Sequence, residues 1–419
     1  VLWPEAKNIA SLVAKGNIDL ADHAANITDI KVDFGGPVMT AAFVAQPKGR
    51  MDAAFDVALT LKNIPLDDFA AYWPEQVAPK PRAWITEHMK AGVLSEFTAT
   101  ASGQGQWDRP DDMHLLKAQG KIAVQNATIH YYKTLTPIIG MSATADFDQH
   151  DMRIKVTGGS ISNAKSLPAT ILIEGLSAPL QTITLWPKLE GPVATVMGVL
   201  DEAPLGYARE LGFNPKDIDG QAHVEAEFKF PLLRELPMAD VKISTQAKIT
   251  KFAAKDMIKG LPVTDGTLTI DLTNTGFTMQ GDAAFNTVPM TLGWNEYFSV
   301  ANDTDVRRHM DLAGTLTPDQ IGKLGLDAGA AAKGKSTAKL SIDKTRAGVM
   351  SLQLDVDATQ SELRLNDIAY EKTIGQKFLL SVSGQTAENN QLVLQNISIK
   401  GDGVRVQGKG VINSETGAI

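Results

Sequence analysis

Over 419 residues the chain carries 48 acidic against 40 basic side chains, a formal net charge of −8, only 6 % aromatic residues and no cysteine. The acidic balance argues against a nucleic-acid partner, which needs a basic stripe over phosphates, and the few aromatics leave little to stack bases on. Without cysteine there is no disulfide framework, thiolate nucleophile or thiolate zinc site. No run of about 18 apolar residues offers a membrane-spanning helix, and no signal peptide is visible; the chain opens on Val1 and reads as an internal fragment, with any membrane anchor expected outside it.

In chain order, Leu2-Trp3-Pro4 opens a run that reads as helix to Lys15, stopped by Gly16 before a strand starting at Ile18 and Leu20. Met51 to Lys62 alternates with period two: Ala53, Phe55, Val57, Leu59 and Leu61 share a face with Met51, and Asp52, Asp56, Thr60 and Lys62 take the other. Tyr72-Trp73-Pro74 introduces a short helix predicted over Arg82 to Lys90, with Pro81 in its first turn, Trp84, Ile85 and Met89 on its apolar side and Gly92 as its stop. From Val93 the period returns to two, with Phe97, Ala99 and Ala101 against Glu96, Thr98 and Thr100. A third Trp-Pro pair, Trp186-Pro187, lacks the helix and glycine that follow the other two.

Further strands follow: Val224, Phe228 and Phe230 against Glu225, Glu227 and Lys229; Val241, Ile243 and Ile249 against Lys242, Ser244, Gln246 and Lys248; then Leu268, Ile270 and Leu272. Leu352, Leu354 and Val356, then Phe378, Leu380 and Val382, and finally Val404 and Val406 repeat the pattern. Asp265-Gly266, Asn274-Thr275-Gly276 and Asp402-Gly403 read as turns, and the polar run Asn302 to His309 as a linker or loop. Thr317-Pro318-Asp319-Gln320 is a capping box with proline at the first helical position, its helix ending near Gly325; Ala203 to Leu211 and Ala253 to Lys259 are weaker helix candidates. One-faced strands with few helices and no strand–helix–strand rhythm make the chain all-β and antiparallel. The apolar faces can close on each other as β-sandwich domains, or line one long sheet bent into a groove.

The tandem of aromatic-Trp-Pro, short helix, glycine and strand, carried mainly by Trp73-Pro74, Arg82-Ala83-Trp84 and Gly92, resembles the AsmA-like family of bacterial envelope proteins, its YhdP-like branch in particular, which is related to TamB-type lipid-bridging proteins. Ala203-Pro204-Leu205-Gly206-Tyr207 to Leu211-Gly212, with Gly220 opening a strand, adds to it. The resemblance selects the groove over the sandwich. It implies three groove segments, 1–140 with two Trp-Pro/short-helix insertions, 141–310 and 311–419. It also implies a periplasmic protein anchored in the inner membrane. Phospholipid, or another acyl-chain ligand, would pass between inner and outer membranes along the groove, with membrane-protein partners at either end. The lining residues would be Phe55, Val57, Leu59, Val224, Phe228, Phe230, Val241, Ile243, Ile249, Leu268, Ile270, Leu352, Leu354, Val356, Phe378 and Leu380. The alternative is a structural factor for outer-membrane assembly or envelope integrity, working through a sheet edge.

Candidate chemistry fails its context tests, and neither a catalytic residue nor a cofactor is expected. Gly329 to Ser336 fits the phosphate-loop pattern G-x-x-x-x-G-K-[ST], but such a loop needs a strand before it and a helix after. Here a helix precedes, and Ala338, Leu340 and Ile342 alternate as a strand behind it. His150 near Asp146, Asp148 and Asp151 reads as a charged turn and not a metal site; Asp217-x-Asp219-Gly220 lacks the later ligands of a calcium loop. Trp3, Trp73 and Trp84 are expected to pack short helices over a sheet edge, the less favoured role being a membrane-interface anchor.

Overall fold

A computed structural model describes residues 8–49, 52–75, 77–106, 109–132, 135–202, 214–233, 235–258, 261–325, 332–365, 369–387 and 391–413. Alternation becomes strand almost throughout. The strands are β1 Ser11–Asp19, β2 Ala24–Asp33, β3 Val38–Pro47, β4 Asp52–Pro65, β5 Met89–Lys90, β6 Val93–Gln106, β7 Arg109–Ile129, β8 Ile138–Asp148, β9 Asp151–Ile161, β10 Ala164–Ser166, β11 Ala169–Glu174, β12 Thr182–Trp186, β13 Lys188–Pro192 and β14 Ile218–Pro231. They continue as β15 Lys242–Ile258, β16 Leu261–Thr273, β17 Gly276–Phe285, β18 Val288–Tyr297, β19 Val306–Leu316, β20 Ala332–Gly334, β21 Ser336–Thr345, β22 Met350–Asp357, β23 Ser361–Leu365, β24 Tyr370–Lys372, β25 Phe378–Ala387, β26 Gln391–Gly401 and β27 Val404–Asn413. Among the described residues four short α-helices interrupt them: α1 Phe69–Tyr72, α2 Pro79–His88, α3 Val193–Asp201 and α4 Pro318–Lys323.

Twenty-four strands hydrogen-bond into one antiparallel sheet, and β20, β23 and β24 form a three-stranded one. The chain is all-β and antiparallel, as the alternation predicts. Hairpins fall at two of the expected turns: Thr273 faces Gly276 across Asn274-Thr275, and Gly401 faces Val404 across Asp402-Gly403. The capping box also forms, with the Thr317 hydroxyl accepting from the Gln320 amide and the Gln320 side chain accepting from the Thr317 amide.

Several local expectations are corrected. Ser11 to Lys15 is strand, not helix, because each residue finds a partner on β2, from Ser11 opposite Asp33 to Lys15 opposite Asp29; Leu2-Trp3-Pro4 lies outside the described residues. The helix predicted over Arg82 to Lys90 starts at Pro79 and ends at His88, and Met89 already pairs with Ile129. Gly92 is therefore not a helix stop. With Ala91 (φ 53°) it turns the chain from β5 into β6 at φ 69°, pressed so close to β7 that a Cβ would sit 2.4 Å from the Gln125 carbonyl oxygen.

Ala253 to Ile258 is strand, not helix. A β-bulge at Thr250 and Lys251 (φ 53°) moves the buried positions from odd, at Ile249, to even, at Phe252 and Ala254. The flip of parity breaks the alternation and mimics a helical spacing. Asp265-Gly266 is the facing irregularity inside β16, not a turn between strands. Of the polar run from Asn302, residues to Asp305 form a loop, but Val306 to His309 already belong to β19. Ala203 to Leu211 lies outside the described residues.

Contacts divide the chain into two units, Val1–Gly191 with Glu202–Leu205 and Glu225–Lys242, and Pro192–Asp201 with Gly206–Val224 and Ile243–Ile419. In the first, α1 and α2 cover one margin of the apolar face. Ile64, Leu66, Phe69, Leu94, Val124, Ala127 and Ile129 are buried there, with Trp73, Ile85 and Met89 packed against them. Arg82 locks the insertion, donating from Nε to the Trp73 carbonyl (2.8 Å) and from Nη2 to the Ala70 carbonyl (3.0 Å), where the end of α1 leaves acceptors unpaired. Trp84 does not join this packing; it is exposed and stacks on His88. In the second unit α3 and α4 supply Val193, Val196, Met197 and Ile321 to a larger core containing Val263, Phe285, Val288 and Leu316.

Candidate functional site

Directly opposed residues of an antiparallel pair point to the same face. Followed from strand to strand, these pairings compose unbroken apolar rows. In the first unit, Leu59 faces Ala41 on one side and Ala99 on the other. From Ala41 the row continues to Ile30, and from Ala99 through Gly120, Phe147, Met152, Ile173 and Ile183 to Phe230. A parallel row runs from Val32 through Met39, Leu61, Phe97, Ile122, Ala145, Ile154, Ile171 and Leu185 to Phe228. The row between them, on the opposite face, is polar: Lys31, Thr40, Thr60, Thr98, Lys121, Asp146 and Arg153.

The second unit repeats the arrangement. Ile249, Leu268, Gly281, Leu292, Leu312, Leu340, Leu354, Val382, Ile397 and Gly408 form one row. Its neighbour runs from Ile270 through Met279, Trp294, Met310, Ile342 and Leu352 to Gly384. These rows form the candidate site, an apolar floor rather than a pocket.

Exposure separates two regimes. Leu268, Leu292 and Leu312 are buried at 1 %, 3 % and 7 % exposure, a filled core. Leu340, Leu354, Val382 and Ile397 further along the same row are only half-buried, as are Leu59, Phe147, Met152, Ile173, Ile183 and Phe230 in the first unit. Of the lining candidates, Phe55, Val57, Leu59, Phe228 and Phe230 are half-buried in the first unit, with the Phe55 ring lying over Gly103. Val224, Ile243, Ile270, Leu352, Leu354, Val356 and Leu380 are half-buried in the second. Val241, Ile249, Leu268 and Phe378 are buried.

One feature of the floor is not among the sequence candidates. Continuing inward along β18 after Leu292 and Trp294, the next same-face position is Glu296, 2 % exposed. It accepts from Trp294 Nε1 (3.0 Å) and Arg308 Nε (2.6 Å) and lies 3.5 Å from Arg307 Nε. The Arg308 guanidinium stands 4.7 Å over the Trp294 ring. The signal was present: a carboxylate at an inward position of a strictly alternating strand requires a cationic partner.

The other clusters are structural. The Asp148 carboxylate accepts the His150 and Asp151 amides at 2.7 and 2.9 Å, which ties the β8–β9 turn and holds the Asp148 pKa below the ordinary range. Behind the phosphate-loop look-alike, Ser336 begins a strand, not a helix, and its buried hydroxyl bonds Ser361; residues 326–331 lie outside the described set. Asp217 pairs with Lys255 at 3.0 Å. Among the described residues no group of three metal-ligating side chains converges, and no helix is long and apolar enough to cross a membrane.

A family model described as YhdP protein matches residues 17–396. The chain belongs to the YhdP family. YhdP membership agrees with the likeness read from Trp73-Pro74 and Arg82-Ala83-Trp84, and makes this an AsmA-like envelope protein of a family not known for enzymes. Searches of curated proteins and of solved structures returned no significant match.

Proposed function

We propose that this YhdP-family chain is a passive conduit for phospholipid between the inner and outer membranes, working in the periplasm and held at the inner membrane by a segment outside these 419 residues. The observation that carries the reading is the set of unbroken apolar rows with long half-buried stretches, Leu59, Phe147, Met152, Ile173, Ile183 and Phe230 in the first unit and Leu354, Val382 and Ile397 in the second. Acyl chains laid on the floor gain ~0.8 kcal/mol per buried CH₂. A row of similar Leu, Ile, Ala and Phe side chains holds no position much more tightly than the next, which suits sliding. No catalytic residue or cofactor enters, and energy comes from a partner.

Parity tests it. A photo-crosslinking side chain in place of Phe55, Val57 or Leu59 is expected to capture phospholipid in cells, and the same group at Asp56 or Thr60 is not. Protein–protein crosslinks at the odd positions, with lipid at neither parity, would return the fold to a closed sandwich.

A second reading has its own observation. All nine residues of β1 are exposed, Leu12 and Ile18 among them, and β2 is its one partner among the described pairings. Such an edge accepts an added strand, as an assembly factor for outer-membrane proteins would require. Native mass spectrometry separates the two: copurifying phospholipid supports the conduit, whereas a bound client chain without lipid supports the edge.

A further inference from the structure

In the second unit the two margins of the apolar floor differ. At one, α3 and α4 close over Val263, Phe285 and Leu316. At the other, where β18 and β21 end and β19 and β22 begin, the row outside Trp294 and Met310 runs Glu296, Arg308, Lys344, Met350 by direct cross-strand pairing. Arg307 and Arg308 bind the Glu296 carboxylate there and Lys344 lies opposite Arg308, while in the adjoining loops Asp303 pairs with Arg346 and Asp305 ties its own turn at Asn302.

Glu296 is spent within the protein. It is buried, and both its oxygens are engaged by the two arginines and the Trp294 indole. It holds Arg308 over the indole, 4.7 Å from the ring centre, a pre-organised guanidinium at the border of the apolar row. Lys344 is exposed and makes no ion pair among the described residues. Phe298, exposed and 6.3 Å from the Phe277 ring, adds an aromatic surface at the same margin. Aromatic and long basic side chains at the edge of an apolar surface are what a chain with an apolar tail and an anionic head requires.

Building on the conduit reading, we propose that Arg308, Arg307 and Lys344 form a headgroup station for the phosphate of a phospholipid whose acyl chains lie on the rows through Ile342 and Leu352. At the opposite margin α3 and α4 pack over Val263, Phe285 and Leu316, so lipid on this stretch takes one orientation, with its headgroup at the basic margin.

The test places p-benzoylphenylalanine at Leu352 in the 419-residue chain. It is incubated with vesicles of phosphatidylethanolamine and phosphatidylglycerol containing an equal share of diacylglycerol, which has the same tails and no phosphate. Wild type is expected to capture the phospholipids at least about fivefold over diacylglycerol, since one charge-assisted contact is worth ~1–3 kcal/mol. Lys344→Glu with Arg307→Gln is expected to remove that preference while leaving diacylglycerol capture unchanged, with the melting temperature lowered by the loss of the Arg307–Glu296 pair. Equal capture of all three lipids by wild type, or a preference that survives the double variant, overturns the headgroup station and leaves the conduit standing. Absence of any lipid capture at Leu352 and at Val57 overturns both. Inorganic phosphate added at millimolar concentration is expected not to compete; competition by phosphate alone would make this an anion site unconnected with lipid and overturn the assignment.

Discussion

At the scale of single residues, Lys372 is a buried charge held by backbone carbonyls. It is 4 % exposed and donates to the carbonyls of Ala358 (2.9 Å), Thr359 (3.4 Å) and Ser361. Burial pushes its pKa down, with Asp357 and Asp402 pulling the other way. Lys372→Ala leaves these carbonyls without a donor and is expected to cost about 2–4 kcal/mol in urea unfolding. Its neighbour Glu371 pairs with Arg364 at 2.8 Å on an exposed surface, so Glu371→Gln is expected to cost less than about 0.5 kcal/mol.

His309 is the pH-sensitive counterpart. Its hydrogen bond to Asp343 (2.6 Å) raises its pKa, against partial desolvation, and the charges of Asp311 and Asp343 add to the rise. Asp311 is itself held by Ser341 and Lys339, and Asn295 faces His309 from β18. A raised folded-state pKa means the stabilisation is complete below the unfolded value of about 6.5 and disappears as pH climbs through the folded one. With a third of the side chain exposed, the effect is expected to stay under about 1 kcal/mol. Thermal melts at pH 6 and pH 8.5 should show a fall that His309→Gln lacks; an identical fall in the variant would assign it to other groups.

At the scale of elements, close approach of strands is what single substitutions disturb most. Gly120 sits under the Phe147 ring, and a Cβ there would lie 2.1 Å from the Thr98 carbonyl oxygen. Gly120→Val is therefore expected to separate β6 from β7, at about 2 kcal/mol or more, and to accelerate amide exchange in both strands; unchanged exchange would mean the side chain is accommodated without parting the strands. The elements also show what was readable beforehand. Strand faces such as Asp52 to Lys62 and Glu225 to Phe230 follow from side-chain parity alone. The capping box at Thr317 was equally legible, because its two partners, Thr317 and Gln320, lie within four residues. The misread segments depend on non-local partners. Ser11 to Lys15 has helix-compatible residues and becomes strand only because β2 is there to pair with it. The bulge at Lys251 inverts parity between the Ile249–Leu268 and Phe252–Gly266 pairs, and nothing within β15 announces that.

At the scale of the whole molecule, parity told which side chains share a face within a strand, but not how strands align or which stretch of floor stays uncovered. Alignment is a property of pairs, and covering depends on where α3 and α4 lie down. Leu292 and Leu354 belong to one row and read alike in sequence, yet one is buried and the other half-buried. Leu292→Asp is expected to cost several kcal/mol, as an unpaired charge in a closed core does. Leu354→Asp keeps access to water and is expected to lose only about 1–2 kcal/mol while stopping lipid capture at Leu352. Equal destabilisation by both would show that the floor is closed at Leu354. Register carries one further consequence. Because Leu340, Leu354, Val382 and Ile397 lie directly opposite one another, a pair of strands bears the same phase on both its outer edges along this row. Length is therefore quantised: the floor grows or shrinks by two strands, about 10 Å, at a time. A duplicated strand pair would present its neighbours with the phase they already meet, so the row can lengthen without redesign of any residue already in place.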